Sequence, residues 1–242
     1  MKRIKIIGLA LVAVFAISAV AAASASALPE FSGFAAGEKF KAKAGAGSLD
    51  TAGTVGKQRH VNCTAGGGEG TIEATKTSKT TVKFTGCKAA GGFASIPCKT
   101  VGANAEEIVT KALVGKLKYL NEAKKEVVLV LEPEVAGGLF AEFTCEGLGV
   151  TEKIKVKGTS IGQLTPVNTL TKTTTLTFKE TAKASGKQSI LEYEEAAKKV
   201  KPLLNETEGV GTGFGSESWA FEESAVEGVS TQETAKEIEV KA

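Results

Sequence analysis

Leu113-Val114-Gly115-Lys116-Leu117-Lys118-Tyr119, a turn through Asn121-Glu122-Ala123-Lys124-Lys125, and the return Val127-Val128-Leu129-Val130-Leu131 decide the fold. In the outgoing arm Leu113, Gly115, Leu117 and Tyr119 fall on alternate positions and share one face of an extended chain, with Lys116 and Lys118 on the other. The return arm is apolar at every position. That pattern predicts a central strand covered on both faces. Pro133 ends it, because proline has no amide hydrogen to give a ladder.

The alternation continues outward from this hairpin. Leu139, Ala141, Phe143 and Cys145 alternate with Phe140, Glu142 and Thr144. Val82-Lys83-Phe84-Thr85, Lys153-Ile154-Lys155-Val156-Lys157 and Thr175-Leu176-Thr177-Phe178-Lys179 do the same, and Lys236-Glu237-Ile238-Glu239-Val240 reads as a closing strand. The three lysines of 153–157 form a solvated face, with a polyanion-binding strip as the rival reading. The chain has 28 Gly, 5 Pro and 6% aromatic residues. It predicts an all-β antiparallel fold of about ten to twelve strands, either a β-sandwich or a closed barrel-like fold.

Some segments break the pattern. Residues 189–204 are rich in helix formers, with Glu194/Lys198 and Glu195/Lys199 spaced by four, and predict a short helix near 190–201; Ile190-Leu191-Glu192-Tyr193 equally suits the opening of a strand. Residues 35–48, rich in Gly, Ala and Lys, read as a leader strand or a mobile arm. Gly66-Gly67-Gly68-Glu69-Gly70 reads as a turn and Gly209 to Gly215 as a loop.

The N-terminus sets the compartment. Lys2, Arg3 and Lys5 precede an apolar run from Ile6 to Ala23, and Ala25-Ser26-Ala27 precedes Leu28-Pro29. This is the pattern of an export signal cleaved after Ala27. The run is also long enough for a retained anchor, and the small-residue site favours cleavage. The expected organisation is a signal at 1–27, a Gly/Ala/Lys-rich segment at 28–48 and one disulfide-stabilised β domain at 49–242. The whole chain has 30 basic and 27 acidic residues. Three of the basic ones lie in the signal, leaving 27 against 27, so no basic field supports nucleic-acid binding. A secreted or envelope-exterior protein follows, with no transmembrane domain once the signal is removed.

Cys63, Cys87, Cys98 and Cys145 are the strongest constellation. In an exported chain they read as two disulfides. Three pairings are open. The short Gly- and Ala-rich loop favours Cys87–Cys98, which leaves Cys63–Cys145. A zinc site is disfavoured because structural zinc ligands come in close pairs such as C-x2-C. No metal or cofactor is expected.

Catalytic groups are scarce. Asp50 is the only aspartate, His60 the only histidine and Arg59 the only arginine after the signal. His60 has no nucleophile motif near it and reads as a surface strand residue. Paired carboxylates at Glu106/Glu107, Glu132/Glu134, Glu194/Glu195 and Glu222/Glu223 read as solvated, because adjacent strand positions face opposite ways. Trp219 and Phe221 read as core residues, with a ligand-contacting platform as the alternative. Asn62-Cys63-Thr64 and Asn205-Glu206-Thr207 match the glycosylation pattern.

The series Val82–Cys87, Cys98, Glu107–Thr110, Leu113–Tyr119, Phe143–Cys145, Ile161–Asn168 and Leu176–Phe178 resembles a group of uncharacterised secreted four-cysteine β-proteins found in many copies in soil actinobacteria. The likeness covers about residues 60–190 and the last strand. It implies no activity, and no site residue is carried over from it. The expectation is an exported non-catalytic binding or structural module at the envelope, with cell-wall glycan or another envelope protein as its partner. A secreted Glu-dependent hydrolase is the alternative. An outer-membrane-type barrel ranks last, because two Tyr, one Trp and a polar final strand do not build aromatic girdles.

Overall fold

The computed structural model describes residues 29–52, 59–90, 95–213 and 218–242. The export signal and its Ala27 cleavage point lie outside the described residues. In chain order the strands are β1 (Glu30–Ser32), β2 (Glu38–Ala44), β3 (Gly47–Thr51), β4 (His60–Cys63), β5 (Ala65–Ala74), β6 (Thr77–Thr85) and β7 (Lys88–Ala90). Next come β8 (Ile96–Lys99), β9 (Ile108–Val109), β10 (Leu113–Asn121), β11 (Glu126–Pro133), β12 (Leu139–Gly147) and β13 (Val150–Lys157). The last are β14 (Ser160–Thr165), β15 (Thr171–Phe178), β16 (Tyr193–Glu195), β17 (Lys198–Val200), β18 (Glu206–Gly213) and β19 (Trp219–Lys241). The described residues contain no helix.

The chain is all-β, and the pairings close. β2, β5, β6, β10, β11, β14, β15 and the second half of β19 join in that order into an antiparallel eight-stranded barrel. A second circuit of pairings runs β3, β4, β7, β8, β12, β13, β18 and the first half of β19, which returns to β3. The long β19 therefore belongs to both rings. Strand succession links them too: β2 leads into β3, β4 into β5 and β6 into β7 across short bends. At one bend Gly86 has φ +62°, and a Cβ there would lie 2.2 Å from Thr64 Oγ1. These bends divide long runs, which is why the strands outnumber those expected from periodicity.

One apolar core runs through both rings, from Phe40, Ile72, Leu113 and Leu117 to Phe143, Ile154 and Val156. β11 is covered on both faces, as its sequence predicted. Val127, Leu129 and Leu131 point into the barrel, while Val128 and Val130 join Ile161 in an outer cluster roofed by Leu120, Ile190, Tyr193 and Leu204. The outer face of the second ring carries cross-strand ion pairs such as Lys155–Glu208 at 3.0 Å, Lys157–Glu206 at 3.1 Å and Lys153–Glu142 at 2.9 Å. All three lysines of the 153–157 face are thus paired to glutamates.

Four sequence expectations are corrected. The helix near 190–201 is instead the hairpin β16–β17, turning through Ala196 and Ala197, both at positive φ, as a two-residue type I′ turn requires. Glu194 pairs with Tyr119 of β10 and its carboxylate accepts from Glu122 N at 2.8 Å; Glu195 pairs with Lys118. A lone helical turn is marginal in water, and docking Tyr193 on the outer cluster outweighs it. The Gly66–Gly70 turn and the Gly209 loop are strand interiors, β5 and β18. There glycine is needed for close approach: a Cβ on Gly70 would meet Phe40 Cζ at 2.3 Å, and one on Gly209 would meet Trp219 Cη2 at 2.0 Å.

The fourth correction concerns the disulfides, which are Cys63–Cys87 and Cys98–Cys145, not Cys87–Cys98 and Cys63–Cys145. Extending the β4–β7 and β7–β8 registers by one residue sets Cys63 opposite Cys87, and Cys87 opposite Cys98. Cys98 is opposite Cys145. The four form one row across the inner face of the second ring. Cys87 and Cys98 are neighbours as expected, but Cys98 N donates to Cys87 O at 2.9 Å. Their site is thus a hydrogen-bonded one, where opposed residues stand farther apart, and the flanking sites bring side chains closer. Two disulfides fit an oxidising setting.

Candidate functional site

An eight-stranded barrel is just wide enough for its own side chains to fill. Here one sector is lined by residues too small to do so. The lining takes Ala42 and Ala44 from β2 and Gly67 from β5, and β19 adds Gly228 and Ser230 opposite Phe178 and Leu176. The space they leave is a cavity of about 120 Å³. Its wall is completed by Phe40, Phe84, Leu129, Leu131, Leu176 and Phe178 from the barrel, and by Val61, Phe140, Phe143 and Val156 from the second ring. It therefore sits where the rings meet. Along one side the wall is the bend Gly45–Ser48 and residues 226–230 of β19. Gly45, Ala46, Glu227 and Val229 are solvent-exposed there, so the cavity has a mouth on that side.

Its chemistry is apolar. Polar groups on the lining are hydroxyls, the Gln232 amide and, at its exposed edge, Glu227; several are already engaged: Thr110 Oγ1 accepts from Val82 N, Ser160 Oγ from Asn205 Nδ2, and Gln232 Oε1 from Thr174 Oγ1. An unfilled void of this size costs a fold on the order of 3 kcal/mol at about 24 cal/mol per Å³. Apolar voids of about 150 Å³ stay dry and take up benzene or xenon. The arrangement can hold a small uncharged apolar molecule.

Trp219 packs on the core over Gly209, with the Arg59 guanidinium 3.7 Å from its ring centroid. Phe221, two residues on, lies under Lys157 Nζ at 3.6 Å. Each ring has a face capped by a cation.

The chain's single Asp and single His come together. Asp50 is opposite His60 across β3 and β4. It is 3% exposed, and its Oδ1 lies 2.5 Å from His60 Nδ1 while its Oδ2 accepts from Ser48 Oγ at 2.5 Å. His60 is in a strand as expected, but its ring is tied to a buried carboxylate. Ser48 bonds the carboxylate and not the imidazole, so no Ser-to-His proton path is set up. Of the paired glutamates expected to be solvated, Glu132 contacts Lys116, Glu134 contacts Lys79 at 2.6 Å and Glu106 contacts Lys88 at 3.2 Å, whereas Glu107 is buried and Glu222 Oε2 is buried without a hydrogen-bond partner among the described residues. Hydrogen bonding from Asn104, with help from Lys83, holds the Glu107 carboxyl below its ordinary range. Hydrogen bonding from Lys153 does so for Glu142. Such carboxylates stay ionised, the opposite of a general acid. Asn205 is fully buried with Nδ2 on Ser160 and so is closed to glycosylation in the folded chain, whereas Asn62 is exposed. Among the described residues no group of three or more His, Cys, Asp or Glu is placed to hold a metal ion.

The cavity was not legible in advance, because smallness matters only once Ala42, Ala44, Gly67 and Gly228 are known to share one barrel sector. No helix among the described residues is long and apolar enough to cross a membrane. Comparison with known proteins supplies no counterpart: no protein-family model, curated protein or solved structure matches the chain.

Proposed function

We propose that this chain is an exported, non-catalytic binding protein that carries a small uncharged apolar ligand inside its barrel, working outside the cell or at the envelope. The observation that carries the reading is the apolar cavity where the two rings meet, lined by alanine and glycine on β2, β5 and β19. Support for the compartment comes from the signal pattern at 1–27 and from two disulfides. Kinship with the secreted four-cysteine proteins it resembles, and contact with cell-wall glycan or an envelope protein, belong to the same proposal. The exterior is Lys, Glu and Thr over an apolar interior, the inverse of a lipid-facing barrel. The hydrolase alternative needs two carboxyls about 5–9 Å apart across a cleft; Glu106, Glu132, Glu134 and Glu195 are instead paired with lysines.

The test is titration of the oxidised mature protein (Leu28–Ala242) with benzene, followed by methyl NMR of Leu129, Leu131 and Leu176. Saturable shifts confined to these residues are expected, and they should vanish in Ala42→Leu, which fills the void. Shifts spread over the surface, or unchanged in Ala42→Leu, would sink the reading.

A further inference from the structure

The Asp50–His60 pair has a third member. After β15 the chain forms a small strap, residues 179–189, closed by Ser189 N to Lys179 O at 2.9 Å and Thr181 N to Lys187 O at 2.9 Å. Glu180, at its base, accepts from Ser185 N at 2.8 Å and Gly186 N at 3.3 Å. Its carboxyl also faces that of Asp50 closely enough for each to feel the other's charge. The strap tip is wedged against the end of β3: a Cβ on Gly186 would lie 2.1 Å from Thr51 C and 2.1 Å from Ala52 N. Two carboxyls in contact cannot both ionise cheaply. Burial first, and then Asp50, push Glu180 up to about 7.

Among the described residues few other charges reach this cluster. The strap lysines Lys179, Lys183 and Lys187 are exposed, as are Glu223 and Glu227 on β19. From β4 the neighbours are His60 and Arg59, and Arg59 is stacked on Trp219. Asp50 accepts from Ser48 Oγ and lies against His60 Nδ1, whereas burial and the facing carboxyl favour the protonated form of Glu180. The strap also touches the cavity at both ends of its attachment. It starts directly after Phe178, a lining residue, and fastens to the strand that brings Gly47, Ser48 and Leu49 to the lining.

We infer that Asp50, His60 and Glu180 form a protonation-controlled clasp: a proton shared between the two carboxyls fastens the 179–189 strap onto β3 beside the cavity, and loss of that proton releases it. The step is simple in balance. Glu180 gives its proton to water or hydroxide, and two facing carboxylates then repel with no donor between them. Below the transition the cavity wall is braced from outside; above it Phe178 and β3 lose that brace and the ligand leaves faster. This last consequence rests on the ligand reading proposed above, whereas the clasp itself does not.

The test uses oxidised mature protein at about pH 5.5 and about pH 8.5, where a group titrating near 7 goes from mostly protonated to roughly thirtyfold ionised. Amide exchange at Ser185 and Gly186, corrected for intrinsic rates, should lose about tenfold or more of its protection at the higher pH. Glu180→Gln, which keeps a neutral donor toward Asp50, should hold the strap closed at both. Equal protection of the wild type at both pH values would overturn the clasp, and so would an undiminished pH response in Glu180→Gln. Benzene release measured in parallel should quicken at the higher pH. An unchanged release rate while the strap opens overturns the link to the cavity. Benzene that never binds defeats the ligand reading alone, because the amide exchange still judges the clasp.

Discussion

Leu129→Ala tests whether the barrel wall is rigid around its void. Leu129 is 3% exposed, lines the cavity and sits in the middle of β11, paired on one side with Leu117 and on the other with Gly162. Truncation removes three carbons, about 2.4 kcal/mol of transfer energy at about 0.8 kcal/mol per methylene. The space it vacates joins the existing cavity. The flanking strands are held in register by both ladders, so the wall cannot close in, and each cubic ångström left open adds about 24 cal/mol. The sum is about 4 kcal/mol, toward the upper end of the range of roughly 2.7–5 kcal/mol for such truncations. Urea unfolding of the oxidised protein reads it as a lower midpoint at unchanged slope. Saturating benzene should restore part of the loss by filling the enlarged space. A cost below about 2 kcal/mol, with no effect of benzene, would mean that the wall collapses, and the case for a standing ligand cavity would fail.

Other consequences are open to direct measurement. Proteolysis of unreduced protein followed by mass spectrometry should recover peptides linking Cys63 to Cys87 and Cys98 to Cys145. Serine at both Cys98 and Cys145 should lower stability by about 4 kcal/mol, and at both Cys63 and Cys87 by roughly 3.5 kcal/mol, from loops closed over 47 and 24 residues on the chain-entropy account; losses under about 1 kcal/mol would refute it. Gly209→Ala puts a methyl into the Trp219 indole and should cost on the order of 2 kcal/mol with a red shift of tryptophan emission, and an unshifted spectrum would count against that packing. Ala197→Gly should stabilise by about 1 kcal/mol, since alanine at φ 59° carries a left-handed penalty that glycine lacks, and a loss of stability would contradict the turn. The Lys153 hydrogen bond depresses the Glu142 carboxyl, so its contribution is present above the ordinary carboxylate range and lost as pH falls. Glu142→Gln should therefore cost roughly 0.2–1 kcal/mol at about pH 7 and nothing at about pH 3; a gap that persists in acid would contradict it.

The sequence read well where one strand's own periodicity carried the information. Val127–Leu131 announced burial on both faces, and the triplets at 153–157 and 175–179 gave their inward sets without ambiguity. It read poorly where meaning depended on the facing strand. Gly66–Gly70 has turn composition, yet each glycine answers a partner on β2 or β6, with Phe40 lying over Gly70. Residues 190–201 have helical propensity, but the strand on which Tyr193 and Glu194 dock was invisible locally. His60 and Asp50 stood out only as singletons; the carboxyl that completes their cluster, Glu180, is 130 residues from Asp50 and carries no motif.

The row of four half-cystines has a consequence for how the chain matures. Cys87 stands between Cys63 and Cys98, so it has two thiol neighbours within reach as the sheet assembles. Should the middle pair oxidise first, Cys63 and Cys145 are left three strand spacings apart, about 14 Å, twice the reach of a disulfide of about 7 Å between Cα atoms. That isomer strands two thiols and can be rescued only by exchange. A chain crossing a membrane N-terminus first presents Cys63 and then Cys87 to the oxidising side before Cys98 arrives. If the chain is exported as proposed, the direction of export chooses the partner, and refolding from the complete reduced chain, where all four thiols compete at once, should depend far more on a disulfide-exchange catalyst than synthesis through an export channel does.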